Sequence, residues 1–86
     1  MAKYIETVIE FKAYNLAQEV PVDSNTNSIL FINKGAVIAY VNGLPLAVGE
    51  VWGDSRNTGE VITGKFNISF AAGAGPLLHV QLTRYK

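Results

Sequence analysis

Val41-Asn42-Gly43-Leu44-Pro45-Leu46-Ala47-Val48-Gly49-Glu50-Val51-Trp52 is the stretch that decides the fold. Asn-Gly places side by side two residues that tolerate positive φ, the requirement of a two-residue hairpin turn. Pro45 follows three residues after Asn42 and removes a backbone donor, so the returning strand belongs at a sheet edge or bends there. Gly49 permits a second sharp reversal before the only tryptophan. Nothing in the segment resembles a catalytic group; it specifies short strands joined by tight turns.

The same pattern extends in both directions. Ser28–Asn33 is dense in β-branched and aromatic residues and predicts a strand. Asn33-Lys34-Gly35 is a turn signal, with the next strand over Ala36–Val41. After the hairpin, strands are expected at Leu44–Leu46 and Glu50–Trp52. Gly53-Asp54-Ser55-Arg56-Asn57-Thr58-Gly59 reads as a polar loop bounded by glycines. Strands are expected again at Glu60–Thr63 and Lys65–Ala71. In the latter, Phe66, Ile68 and Phe70 alternate with polar residues and define one apolar face. Ala71 to Pro76 is a turn, and Leu77–Tyr85 is the last strand.

At the other end, Ile5, Thr7, Ile9, Phe11 and Ala13 share one face of an extended Tyr4–Tyr14 segment. A helix over Glu6–Gln18 is the other reading, with Ile5, Ile9 and Leu16 as its stripe; the dense β-branched residues favour a strand. Pro21–Asn27 is a polar connection. About seven short strands with frequent turns predict an all-β domain, a small antiparallel sandwich or barrel. The 86 residues form a single domain, with residues 1–20 as an N-terminal strand or arm suited to an inter-subunit contact.

Composition narrows the function. Seven basic and seven acidic residues cancel, which removes the electrostatic drive toward nucleic acid or an anionic membrane. Charged residues are 16% of the chain and apolar ones 49%, against about 25% charged in an average domain. A domain this small exposes much of its chain, and here little of it is charged, so part of the surface is expected to be covered by another subunit. No apolar run approaches the length of a membrane helix. Glu6 stands where a signal peptide would begin its apolar core, so synthesis in the cytoplasm is expected. There is no cysteine, hence no disulfide or thiolate metal site.

Each chemical motif fails at a named position. His79, the only histidine, lies on the strand face of Leu77 and Gln81, opposite Leu78, Val80 and Leu82, with no recognisable base or nucleophile partner. Asp23-Ser24-Asn25-Thr26-Asn27 opens like a calcium loop, but Ser28 and Lys34 occupy the places of its glycine and bidentate glutamate. Asp54 and Glu60, with Arg56 between them, read as an ion pair or a solvated loop rather than a glycosidase dyad. Gly73-Ala74-Gly75-Pro76 lacks the Lys-Ser/Thr of a phosphate loop. Asn67-Ile68-Ser69 fits the glycosylation pattern without a secretory context. Tyr4, Tyr14, Tyr40, Trp52 and Tyr85 could stack on sugars or bases, but more often such isolated aromatics pack in cores and interfaces.

The Val41–Glu50 stretch, the polar loop to Gly59-Glu60, the alternating Phe66-Asn67-Ile68-Ser69-Phe70 and the basic end Arg84-Tyr85-Lys86 together resemble small virion proteins of tailed bacteriophages. The likeness is to head decoration, auxiliary capsid and fibre-base proteins of crAss-like phages, over about the last two-thirds of the chain. It implies a non-enzymatic β-rich subunit on the capsid surface that stabilises the shell or anchors fibres. Its implied partners are further copies of itself and the major capsid or other head proteins. No cofactor, metal, nucleic acid, membrane or small-molecule substrate is expected. Tyr4, Val8, Tyr14, Leu44, Pro45, Leu46, Trp52 and His79 are the candidate interface residues. The competing function is a small carbohydrate- or ligand-binding β-module built on Trp52 and nearby tyrosines.

Overall fold

The computed structural model of the chain describes residues 6–22, 24–57 and 59–86. Among these, all regular structure is β: β1 (Thr7–Tyr14), β2 (Gln18–Val20), β3 (Thr26–Asn33), β4 (Ala39–Val41), β5 (Leu44–Leu46), β6 (Val51–Ser55), β7 (Phe66–Phe70) and β8 (Leu78–Tyr85). They form two four-stranded sheets, ordered β1-β8-β3-β6 and β2-β7-β4-β5, in which every pairing is antiparallel. The inner faces of the two sheets share one core, and the fold is a small β-sandwich.

Strand alternation accounts for that core. Leu78, Val80 and Leu82 of β8 point inward beside Ile29 and Phe31 of β3. Phe66 and Ile68 of β7, Ala39 and Val41 of β4, and Val20 of β2 come from the opposing sheet. Phe31, Trp52 and Phe66 lock the two layers together, with ring centroids 5.3 to 6.2 Å apart in tilted and edge-on arrangements. Each such aromatic pair contributes about 0.5–1.5 kcal/mol beyond its area burial.

The Asn42-Gly43 hairpin forms as expected, with φ of 50° and 83°, the left-handed pair that a twisted two-residue turn needs. Val41 faces Leu44 across the turn and Tyr40 faces Pro45. Pairs flanking a two-residue turn are hydrogen-bonded and the next pair is not. The proline therefore directs its missing donor away from β4, at the outer edge of the smaller sheet. Gly49 makes the second reversal at φ 86°, closed by the Glu50 amide donating to the Ala47 carbonyl at 2.9 Å.

Several boundaries differ from expectation. Residues 36–38 are not strand: Asn33 folds 34–38 into a turn, and only Ala39–Val41 pairs. The polar loop begins later than Gly53, because β3 runs back to Thr26 and supplies Ile29 and Ser28 as partners for Asp54 and Ser55. Glu60–Thr63 is irregular; Ile62 enters the core while its amide makes a single bond to the Thr26 carbonyl, 2.8 Å. The Glu6–Gln18 helix does not form: β1 occupies residues 7–14, and Gln18–Val20 is a short strand that the local pattern does not mark.

Candidate functional site

The larger sheet has one face on the core and one in solvent. Register places Thr7, Ile9, Phe11 and Ala13 of β1 on the solvent face, beside Tyr85, Thr83, Gln81 and His79 of β8. Leu30 and Ile32 of β3 and Val51 and Gly53 of β6 continue that face. Phe11 is 73% exposed and Ile9 54%. Across β6, the missing side chain of Gly53 leaves an open groove floored by Leu30 and flanked by Ser28, Ser55 and Gln81.

β1 is inverted relative to the rule that apolar residues turn inward. Its core-facing side carries Glu10 and Lys12, opposite Leu82 and Val80, and its wet side carries Ile9 and Phe11. Glu10 reaches the Arg84 guanidinium and also pairs with Lys12 at 3.4 Å, which holds the charges at the rim of the sandwich. Half-exposed pairs of this kind add little to stability.

The edge of β1 is equally unusual. The Lys86 amide donates to the Glu6 carbonyl, which fixes the ladder: even-numbered residues of β1 bond toward β8, and Thr7, Ile9, Phe11 and Ala13 direct their backbone groups away from it. Proteins blunt free edges with short strands, prolines, bulges or inward-pointing charges, and of these β1 has only the charges, Glu10 and Lys12. In the smaller sheet, edge strands β2 and β5 are three residues long and β5 carries Pro45. β6 has five residues. β1 has eight, without proline, and two large apolar side chains on its exposed face.

The expected interface residues scatter. Tyr4 lies outside the described residues. Val8 sits on β1 at the rim, 37% exposed, and His79 lies on the outer face between Ala13 and Ile32. Leu44 and Pro45 are exposed on the hairpin at the far edge of the other sheet. Leu46 is buried in the core, because the strand alternation that exposes Leu44 turns it inward. Trp52 is likewise turned toward Phe31 and Phe66, and Tyr14 packs against the core, so neither ring stands as a surface platform. Ile9, Phe11, Leu30, Ile32 and Val51 are the outer-face residues that the interface set lacks. The alternation of Ile9 and Phe11 is visible in sequence, but alternation does not say which face a second sheet covers.

The polar motifs resolve into fastenings. Among the described residues no side chain hydrogen-bonds to the His79 ring, and no three His, Asp or Glu residues cluster to hold a metal. Asp54 pairs with Arg56. The Asn27 side-chain nitrogen lies 2.9–3.2 Å from the carbonyls of Arg56, Asn57 and Glu60 and the Tyr85 hydroxyl, four acceptors that share its two hydrogens. Tyr85 Oη also accepts from the Gly59 amide at 2.7 Å and donates to the Glu60 carbonyl at 3.0 Å. Asn25 donates to the Tyr85 carbonyl. Arg56, Asn57, Gly59 and Glu60 are thus pinned against the end of the sandwich. Tyr85→Phe is expected to cost about 1–2 kcal/mol and to raise the amide hydrogen exchange of Asn57, Gly59 and Glu60 selectively. Unchanged exchange there would show that Asn27 alone fastens the loop.

No helix among the described residues is long and apolar enough to cross a membrane. Comparisons with protein-family models, with curated proteins and with solved structures find no match for the chain.

Proposed function

We propose that this chain is a structural virion subunit, an auxiliary or decoration protein of a tailed-phage head that acts by fitting against other proteins. The observation that carries the proposal is β1: an eight-residue edge strand with Phe11 and Ile9 turned to solvent. Exposed apolar side chains beside unpaired backbone are a template for another polypeptide. The low charge and the likeness to phage head proteins support the same reading, and many copies on a shell offset weak individual contacts through multivalency. Its place is then the capsid surface, with head proteins and further copies of itself as partners.

Co-sedimentation with emptied phage heads tests the proposal. Saturable binding at a fixed number of copies per shell is expected, and Ile9→Ser/Phe11→Ser should reduce it at least tenfold while the circular dichroism of the fold is retained. Absence of binding by the unaltered protein to heads of its own phage would overturn it.

A further inference from the structure

From the charge pattern of β1 we infer that its free edge pairs with β1 of a second copy, antiparallel, about a two-fold axis through Phe11. The inference deepens the assembly reading and rests on it for the use made of the pair. The ladder with β8 leaves the backbone groups of Thr7, Ile9, Phe11 and Ala13 directed outward, so these residues must form the hydrogen-bonded pairs of any added antiparallel strand. Centring the axis on Phe11 sets Ile9 against the partner's Ala13, Phe11 against the partner's Phe11, and Ala13 against the partner's Ile9. That gives about six backbone hydrogen bonds, two for each such pair.

The intervening residues then select the register. They form the non-hydrogen-bonded pairs, in which side chains come closest. With the axis at Phe11, Glu10 stands against the partner's Lys12, Lys12 against the partner's Glu10, and Val8 against the partner's Tyr14. Sliding one strand by two residues brings either Glu10 against the partner's Glu10 or Lys12 against the partner's Lys12. Like charges directly opposite are destabilising. Sliding the strand four residues toward the amino terminus shortens the overlap within Thr7–Tyr14, leaves Glu10 facing Val8 and sets Lys12 against the partner's Glu6, which already pairs with Lys86 of its own chain. Only the register centred on Phe11 pairs both charges of each strand over residues 8–14.

The result is a continuous eight-stranded sheet, β6-β3-β8-β1 joined to the same four strands of the second copy. Ile9, Phe11 and Ala13 of both chains adjoin across the seam and shield part of the apolar face. The contact is isologous, so it closes at two copies. Pairing of β1 with β6 of a neighbour would instead repeat without closing and grow into a filament.

Light scattering on the purified full chain tests this. Twice the 9.3 kDa chain mass is expected. Glu10→Lys and Lys12→Glu, each alone, set like charges across the axis and should be monomeric, with folding checked by circular dichroism. Mixing the two variants restores opposite charges at both pairs and should return the dimer as a one-to-one heterodimer. Phe11→Cys provides a second measurement, since the chain has no cysteine of its own. A short bis-maleimide should link two copies through residue 11, and Ser55→Cys on the opposite edge should stay unlinked. A monomer at every concentration, single variants that remain dimeric, a mixture that does not associate, or mass growing beyond two copies would each overturn the inference. A dimer that ignores phage heads counts against the virion reading alone. A monomer that binds them counts against the two-fold pairing alone.

Discussion

Asn33→Ala is expected to lower the unfolding free energy by about 3–4 kcal/mol, a large share of the margin available to an 86-residue domain. Asn33 is fully buried and completely bonded. Its amide nitrogen donates to the Val37 carbonyl at 2.9 Å and the Leu46 carbonyl at 2.8 Å, and its Oδ1 accepts from the Gly35 amide at 3.0 Å. Its backbone adds two further ties: its amide donates to the Glu50 carbonyl and its carbonyl accepts from the Gly49 amide. One side chain thus clips the 34–38 turn to the end of β5, where the chain turns back toward β6. Alanine keeps the backbone ties and deletes the side-chain ones: the Leu46 carbonyl retains the Ala39 amide of the β4–β5 ladder, while the Val37 carbonyl and the Gly35 amide lose their partner at a largely buried site. Leaving buried groups unpaired costs more than the hydrogen bonds themselves contributed. Asn33→Asp should be at least as costly at neutral pH, because a carboxylate would face the same two carbonyls with no proton to offer. Urea unfolding followed by Trp52 fluorescence measures both, since that ring sits in the aromatic cluster between the sheets. A loss below 1 kcal/mol for Asn33→Ala would mean that water replaces the amide.

Asn33 also marks how far the sequence could be read. As part of Asn33-Lys34-Gly35 it is a visible turn signal, and the turn is there. Its reach to Leu46, thirteen residues on, depends on how β4 and β5 fold back, and no local pattern encodes that. The same division runs through the molecule. Asn42-Gly43, Pro45 and Gly49 act through their own backbone preferences, so hairpin, edge position and second reversal are all legible. Phe66–Phe70 and Leu78–Tyr85 announce their buried faces by alternation, and His79 falls on the wet face as the pattern requires. Gln18–Val20 and the β6 extension through Gly53–Ser55 are strands only because β7 and β3 lie alongside them, and pairing at that distance overrides weak local preference. Glu60–Thr63 shows the converse, a β-prone segment with no strand to join.

The candidate surface was hidden for a related reason. Ile9 and Phe11 alternate as core residues do, and their outward direction follows from strand order alone. β1 pairs with β8, whose inner face is already filled by Leu78, Val80 and Leu82. Only that register turns Glu10 and Lys12 toward the sandwich rim and the aromatic ring to solvent. Composition gives an apolar excess but no position for it; the topology places Ile9 and Phe11 on the outer face of β1.

Gly35→Ala is expected to destabilise the fold by about 2–4 kcal/mol, more than substitution at the positive-φ turn glycines. Gly35 needs no left-handed backbone; its constraint is the approach of a second turn. A Cβ at this position would lie 2.4 Å from the Leu77 nitrogen, 2.7 Å from the Gly75 oxygen and 3.1 Å from the Pro76 carbonyl carbon. All three are main-chain atoms, so no rotamer change relieves the overlap. Moving the 73–77 turn away would break the bonds from the Ala36 amide to the Gly75 carbonyl, 2.8 Å, and from the Lys34 amide to the Leu77 carbonyl, 3.1 Å. It would also draw Leu78, fully buried next to this turn, out of register at the head of β8. Gly43→Ala is the matched control: nothing lies within 4 Å of a Cβ there, and the only penalty is a backbone at φ 83°, worth about 1–2 kcal/mol. Thermal unfolding of the two variants side by side separates steric from conformational cost. The order Gly35→Ala below Gly43→Ala in Tm is required if the contact between the two turns anchors β8, the strand that holds β1 in place; the reverse order would mean that the turns can part without disturbing the sheet.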